Sequence, residues 1–130
     1  MEQVIDYQRD VAQSLAEVDQ LIAQVNRSND VAEKSELVLK MTEFLQRAKS
    51  NVDSLLIVVR SSMGEDRNRC NKVYNELDAK VRSYDAKIKD ITTKVKKERL
   101  LEIKWMLKKI IRFGVVLCFL SMCCSVSEDF

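Results

Sequence analysis

The feature that most restricts the fold of this chain is its lack of turn-forming residues. The 130 residues include no proline and only two glycines, Gly64 and Gly114. Hairpin turns and the loops between strands and helices depend heavily on these two residue types. The sequence therefore argues against all-β and doubly wound α/β folds, and favours a few long helices in one domain, with or without an appendage.

Three stretches of the chain repeat apolar residues every seven positions, as helices with one buried face do. Polar and charged residues occupy most positions between the repeats. The repeats run through Val4, Val11, Val18 and Val25, through Val38, Leu45, Val52 and Val59, and through Cys70, Leu77, Tyr84 and Ile91. The pattern predicts three amphipathic helices, at about residues 3–27, 31–63 and 66–95.

The breaks between these stretches are short and contain residues that end or begin helices. Asp30 and Glu33 have capping-box spacing, and Gly64 stands where the second repeat ends. The three helical repeats predict an all-α fold. Because short connections make sequential helices antiparallel, we predict an antiparallel three-helix bundle (up-down-up) over residues 1–95, with a C-terminal basic and apolar helical extension. The alternative is an extended coiled coil with other chains, since every repeat is also heptad-like.

The net charge of +2 conceals an uneven distribution of 22 basic and 20 acidic residues. Basic residues concentrate in the amphipathic segment 96–112, which directly precedes the uncharged run 113–126 and the acidic tail 127–130. A basic segment followed by an apolar one is typical of a membrane anchor with its basic side in the cytosol. We therefore predict that 96–112 is a juxtamembrane segment and that 113–126 is a tail anchor.

The apolar run is short for a membrane span, which needs about 20 residues. It approaches that length only when Ile110 and Ile111 are included. The residues predicted to lie at the membrane interface are Lys104, Trp105, Lys108, Lys109 and Arg112. The predicted anchor residues are Phe113, Val115, Val116, Leu117, Phe119 and Leu120. Three cysteines in the run are candidates for acylation, although such thiols are more often simply small apolar side chains: Cys118, Cys123 and Cys124.

The chain carries no pattern that indicates catalysis. It contains no histidine, which removes the commonest general base and the commonest metal ligand. Its four cysteines lack zinc-site spacing, and no glycine-rich phosphate loop is present. We expect a protein that is not an enzyme, with no catalytic residue, no metal and no cofactor. We also expect no nucleic-acid binding, because the basic residues of 96–112 alternate with large apolar ones, as in interfacial helices.

Three features of the middle of the chain suggest a family. They are the apolar end of the second helix from Leu55 to Ser62, the break at 64–66, and the segment from Val73 to Tyr84. In these features, about residues 37–91 resemble the N-terminal three-helix domain of Vti-type Qb-SNAREs. The long SNARE coiled-coil motif is not found, since the basic segment follows Val95 almost at once. The resemblance implies helical partners in trafficking, and it does not extend to membrane fusion.

These observations together predict a non-enzymatic helical interaction protein that acts in vesicle trafficking through helix–helix contacts. We expect it to be tail-anchored on the cytosolic face of an endomembrane, namely the endoplasmic reticulum, Golgi or endosome. The alternative is a soluble, cytoplasmic coiled-coil subunit of a larger assembly, with residues 100–126 buried against partners. The sequence leaves the oligomeric state open.

Overall fold

The computed structural model describes the backbone of residues 2–128 and the side chains of residues 2–114. Within that part of the chain, the backbone forms three helices and no strand. The helices are α1, Glu2–Arg27; α2, Val31–Ser61; and α3, Gly64–Glu128. The prediction of an all-α protein is confirmed. The chain divides into two compact units, Met1–Val95 and Lys96–Phe130.

The first unit is a helical bundle around one apolar core. The core takes residues from α1, α2 and the first part of α3, at the seven-residue repeats seen in the sequence. Its members with no exposed surface are Val11, Val18, Met41, Ala48 and Leu55. Because the buried set runs from Val4 to Val95, packing of the apolar stripes stabilises the whole unit, and the helices do not depend on propensity alone.

The connection between α1 and α2 is fixed by a cap that differs in detail from the predicted one. Asp30 is the N-cap residue, and its Oδ1 accepts a hydrogen bond of 3.1 Å from the backbone N–H of Ala32. The carboxylate of Glu33 accepts from the hydroxyl of Ser28 at 3.0 Å. That Ser28 oxygen accepts in turn from the backbone N–H of Asp30 at 3.2 Å. The hydroxyl of Ser28 therefore lies between the Glu33 carboxylate and the Asp30 backbone N–H, which in a standard capping box would be hydrogen-bonded to each other.

The connection between α2 and α3 uses a serine cap and a glycine. The backbone N–H of Ser62 donates to the carbonyl oxygen of Val59 at 3.2 Å and so closes the last turn of α2. Two residues later, Gly64 begins α3 with φ of 64°. This left-handed conformation is readily available to glycine and costly for other residues.

The third helix does not end near residue 95, where the apolar repeat predicted its end. α3 continues without a break through the basic and apolar segments to Glu128. The physical reason is that no proline interrupts this stretch, and its Lys, Glu, Leu and Met residues favour helix. Burial is what changes at the boundary, because every side chain from Lys96 to Phe113 is exposed.

Candidate functional site

The exposed helical segment 96–113 is the part of the second unit in which side chains are described. It contains nine large apolar side chains whose exposed fractions range from 44% to 70%. They are Leu100, Leu101, Ile103, Trp105, Met106, Leu107, Ile110, Ile111 and Phe113. In the bundle the large exposed apolar residues are Ile5, Leu39, Ile57 and Met63. Exposed apolar surface is therefore much denser in 100–113 than in the bundle, and such density is typical of interaction sites.

The structure places all five predicted interface residues on this segment and exposes each of them. Lys104, Lys108 and Arg112 are four residues apart and therefore share one stripe of the helix. The Nζ atom of Lys109 lies 5.1 Å from the centroid of the Trp105 ring, as in a cation–π contact. The segment thus presents basic groups and an aromatic ring beside apolar side chains, the combination for which a membrane interface was predicted.

Most of the predicted anchor cannot be placed in the same way. Phe113 is described and is 70% exposed. The other anchor residues and the acylation candidates lie outside the residues whose side chains are described: Val115, Val116, Leu117, Cys118, Phe119, Leu120, Cys123 and Cys124. None of the described helical residues forms a stretch that is both long and apolar enough to cross a bilayer.

Two polar contacts between helices in the bundle were not anticipated from the sequence. The first joins α3 to α1: the hydroxyl of Tyr84 donates to Oδ2 of Asp19 at 2.7 Å. This hydrogen bond, together with partial burial and the nearby negative charge, raises the pKa of Tyr84 above its ordinary value of 10.0. Since Tyr84 lies on an apolar repeat, the sequence indicated only that its ring faces the core.

The second contact joins α2 to α3 through Asp85. Its carboxylate lies 3.1 Å from Nζ of Lys89 on the same helix and 3.4 Å from Nζ of Lys49 on α2. The hydrogen bond from Lys89 lowers the pKa of Asp85 below 3.8; partial burial opposes this, and Lys49 adds to it. Both contacts join helices at the partly exposed margin of the core, in the rotation that core packing gives them.

A groove of about 790 Å³ runs between α1 and α2. Its lining includes the carboxylates of Asp10, Glu17 and Glu43, and the guanidinium of Arg47 lies 5.2 Å from the ring centroid of Phe44. No group of three or more metal-ligating side chains comes together among the side chains described. The groove is an acidic, solvent-open surface between two helices, and no sequence motif pointed to it.

Comparisons with known proteins identified no relative of this chain. Protein-family models, curated proteins and solved structures were compared with the chain, and none matched. The functional assignment therefore depends on the chemistry and exposure of the chain's own residues.

Proposed function

We propose that this chain is a non-enzymatic helical interaction protein held on the cytosolic face of an endomembrane by its C-terminal segment. The observation that supports the proposal best is the exposure of nine large apolar side chains among basic ones in residues 100–113. Water is a poor solvent for such a surface, whereas a bilayer interface accepts its apolar side chains and its cations together. The bundle of residues 1–95 then remains in the cytosol to contact partners.

The bundle is proposed to have the antiparallel, up-down-up arrangement. The connections at residues 28–30 and 62–63 contain three and two residues. Three extended residues reach about 10 Å, whereas α2, with 31 residues, is about 46 Å long. A parallel neighbour would need a connection long enough to return along a helix. Since α1 and α2 share one core along their lengths, chain reversal at each connection is the arrangement that fits.

The proposed partners are helical proteins that act in vesicle trafficking. The resemblance to the three-helix domain of Vti-type Qb-SNAREs supports this choice and stays a prediction. The acidic groove between α1 and α2 bears only on the kind of partner, because its carboxylates would favour a partner helix that carries basic residues. No membrane-fusion activity is proposed, since the coiled-coil motif for that activity is not found in the sequence.

Alkaline carbonate extraction of membranes from cells that express the full chain tests the anchor. We expect the chain to stay in the membrane pellet. Leu117→Asp is expected to release it, because it puts a charge into the apolar run proposed to enter the bilayer, where a charged residue costs up to about 2.5–3.5 kcal/mol. Leu39→Asp makes the same change at an exposed position of α2 and is expected to leave extraction unchanged.

Release of the unmodified chain into the supernatant would contradict the tail anchor. If the released chain were also part of a stable complex with other helical proteins, the result would favour the alternative function, a soluble coiled-coil subunit of a larger assembly. In that alternative, the exposed apolar side chains of 100–113 are the contact surface for the partner chains.

A further inference from the structure

The exposed apolar residues of 100–113 are not spread evenly around α3. At 100° per residue, seven of the nine fall within one arc of about 160°. These seven, which we call the apolar arc, are Leu100, Ile103, Met106, Leu107, Ile110, Ile111 and Phe113. The other two, Leu101 and Trp105, fall on the opposite side together with Lys108 and Arg112. This part of the helix is therefore amphipathic, with one face suited to an apolar medium.

The charges of the segment are arranged around this arc. None of the four basic residues between 100 and 113 falls inside it. Lys104 lies directly beyond one edge, next to Ile111, whereas Glu102 lies directly beyond the other edge, next to Phe113, with Lys109 one position further around the helix. Lysines at the edges of an apolar face extend their alkyl chains along it while their ammonium groups stay in a polar layer. Glu102 is the one acidic residue of the segment, against four basic residues outside the arc.

From this arrangement we infer that residues 100–113 lie in the plane of an anionic bilayer surface. The apolar arc enters the boundary between headgroups and acyl chains, and the edge lysines meet the lipid phosphates. The inference rests on the proposed membrane attachment and adds that residues 100–113 lie along the surface and do not cross the bilayer. Since α3 is unbroken to Glu128, this position requires that the helix bend after Phe113 on membrane binding, so that the apolar run can enter the bilayer. An anionic lipid layer complements the net positive charge of the segment, which has four basic residues and one acidic residue outside the arc.

Vesicle binding by the purified full chain tests the inference with a matched pair of variants. Leu107→Asp places a carboxylate in the apolar arc, and Leu101→Asp makes the same change on the opposite side; both leucines are exposed, by 51% and 62%. With vesicles of phosphatidylcholine and phosphatidylserine, we expect Leu107→Asp to lower partitioning by about tenfold or more. Leu101→Asp has the same net charge, and its effect should be below about threefold.

Trp105 provides a second readout, because it is the only tryptophan of the chain. It lies opposite the apolar arc, so an in-plane helix keeps its ring on the aqueous side. We expect iodide to quench Trp105 almost as well in vesicle-bound chain as in free chain. A helix that crosses the bilayer would carry Trp105 into the interface regardless of its rotation, with a blue-shifted emission and protection from iodide.

Several results would overturn the inference. Equal binding by both variants and the unmodified chain would mean that the tail alone attaches the protein, which leaves the proposed anchor intact. Equal loss in both variants, or protection of Trp105, would exclude the in-plane orientation. Binding that needs no phosphatidylserine would exclude the anionic surface. Failure of the unmodified chain to bind, with association into stable oligomers, would exclude both the inference and the proposed membrane attachment.

Discussion

The packing of the bundle predicts a large difference between two leucines of the same helix. Leu55 has no exposed surface and lies in the shared core, whereas Leu39 is 67% exposed. Replacing a buried leucine by alanine removes its apolar contacts and leaves a cavity, at a cost of about 2–5 kcal/mol. The same replacement at an exposed position changes stability by about 0.5 kcal/mol or less. We therefore expect Leu55→Ala to cost about 3 kcal/mol more than Leu39→Ala.

Urea unfolding of the full chain, followed by circular dichroism and by tyrosine fluorescence, measures this difference. Tyr7, Tyr74 and Tyr84 are half-buried against the core and report on the bundle. With a urea slope of about 1.5 kcal/mol per molar, the midpoint of Leu55→Ala should fall by about 2 M. Leu39→Ala should keep the midpoint of the unmodified chain. Similar midpoints for the two variants would refute the assignment of Leu55 to the core.

Three further predictions concern the polar contacts of the bundle. Asp30→Ala removes the N-cap of α2 and should cost about 1 kcal/mol in urea unfolding, whereas Asp30→Asn should cost much less; equal losses would show that the cap is unimportant. Tyr84 has a raised pKa in the folded chain, so its contribution to stability is present below pH about 10 and is lost as pH rises through that pKa. Stability measured against alkaline pH should therefore fall less steeply in Tyr84→Phe, and an unchanged slope would contradict the Asp19 contact. Asp85 has a lowered pKa, so its contribution is present above pH about 4 and is lost as pH falls through the lowered value. Acid unfolding curves of Asp85→Asn should be flatter in that range, and curves that parallel the unmodified chain would contradict the contacts of Asp85 with its two lysines.

The sequence predicted the helices and their buried faces well, for a physical reason. A seven-residue apolar repeat depends only on local spacing, so residues such as Val11 and Leu45 could be assigned to buried faces from that spacing alone. The end of α3 could not be predicted in this way, because the loss of a buried partner after Val95 does not stop a helix. Only a change in burial marks that position.

Polar contacts between helices could not be predicted from the sequence pattern. The hydrogen bond from Tyr84 to Asp19 and the ion pair of Lys49 with Asp85 depend on how the helices are rotated against each other. At the candidate site, the basic and aromatic residues predicted for a membrane interface are exposed on one segment, and their role at a membrane stays a prediction. The segment was predicted to be amphipathic and interfacial, but which of its residues share the apolar arc was not assigned, because it was interpreted as a basic flank before a membrane span.

The measurement that tests the central claim most directly is imaging of the chain in cells. The full chain is compared with a version that ends after Arg99, which keeps the compact unit Met1–Val95 and lacks the exposed segment. Attachment through residues 100–126 predicts an endomembrane pattern for the full chain and a diffuse cytosolic signal for the shortened one. A diffuse full chain, or a shortened chain that keeps the membrane pattern, would contradict it.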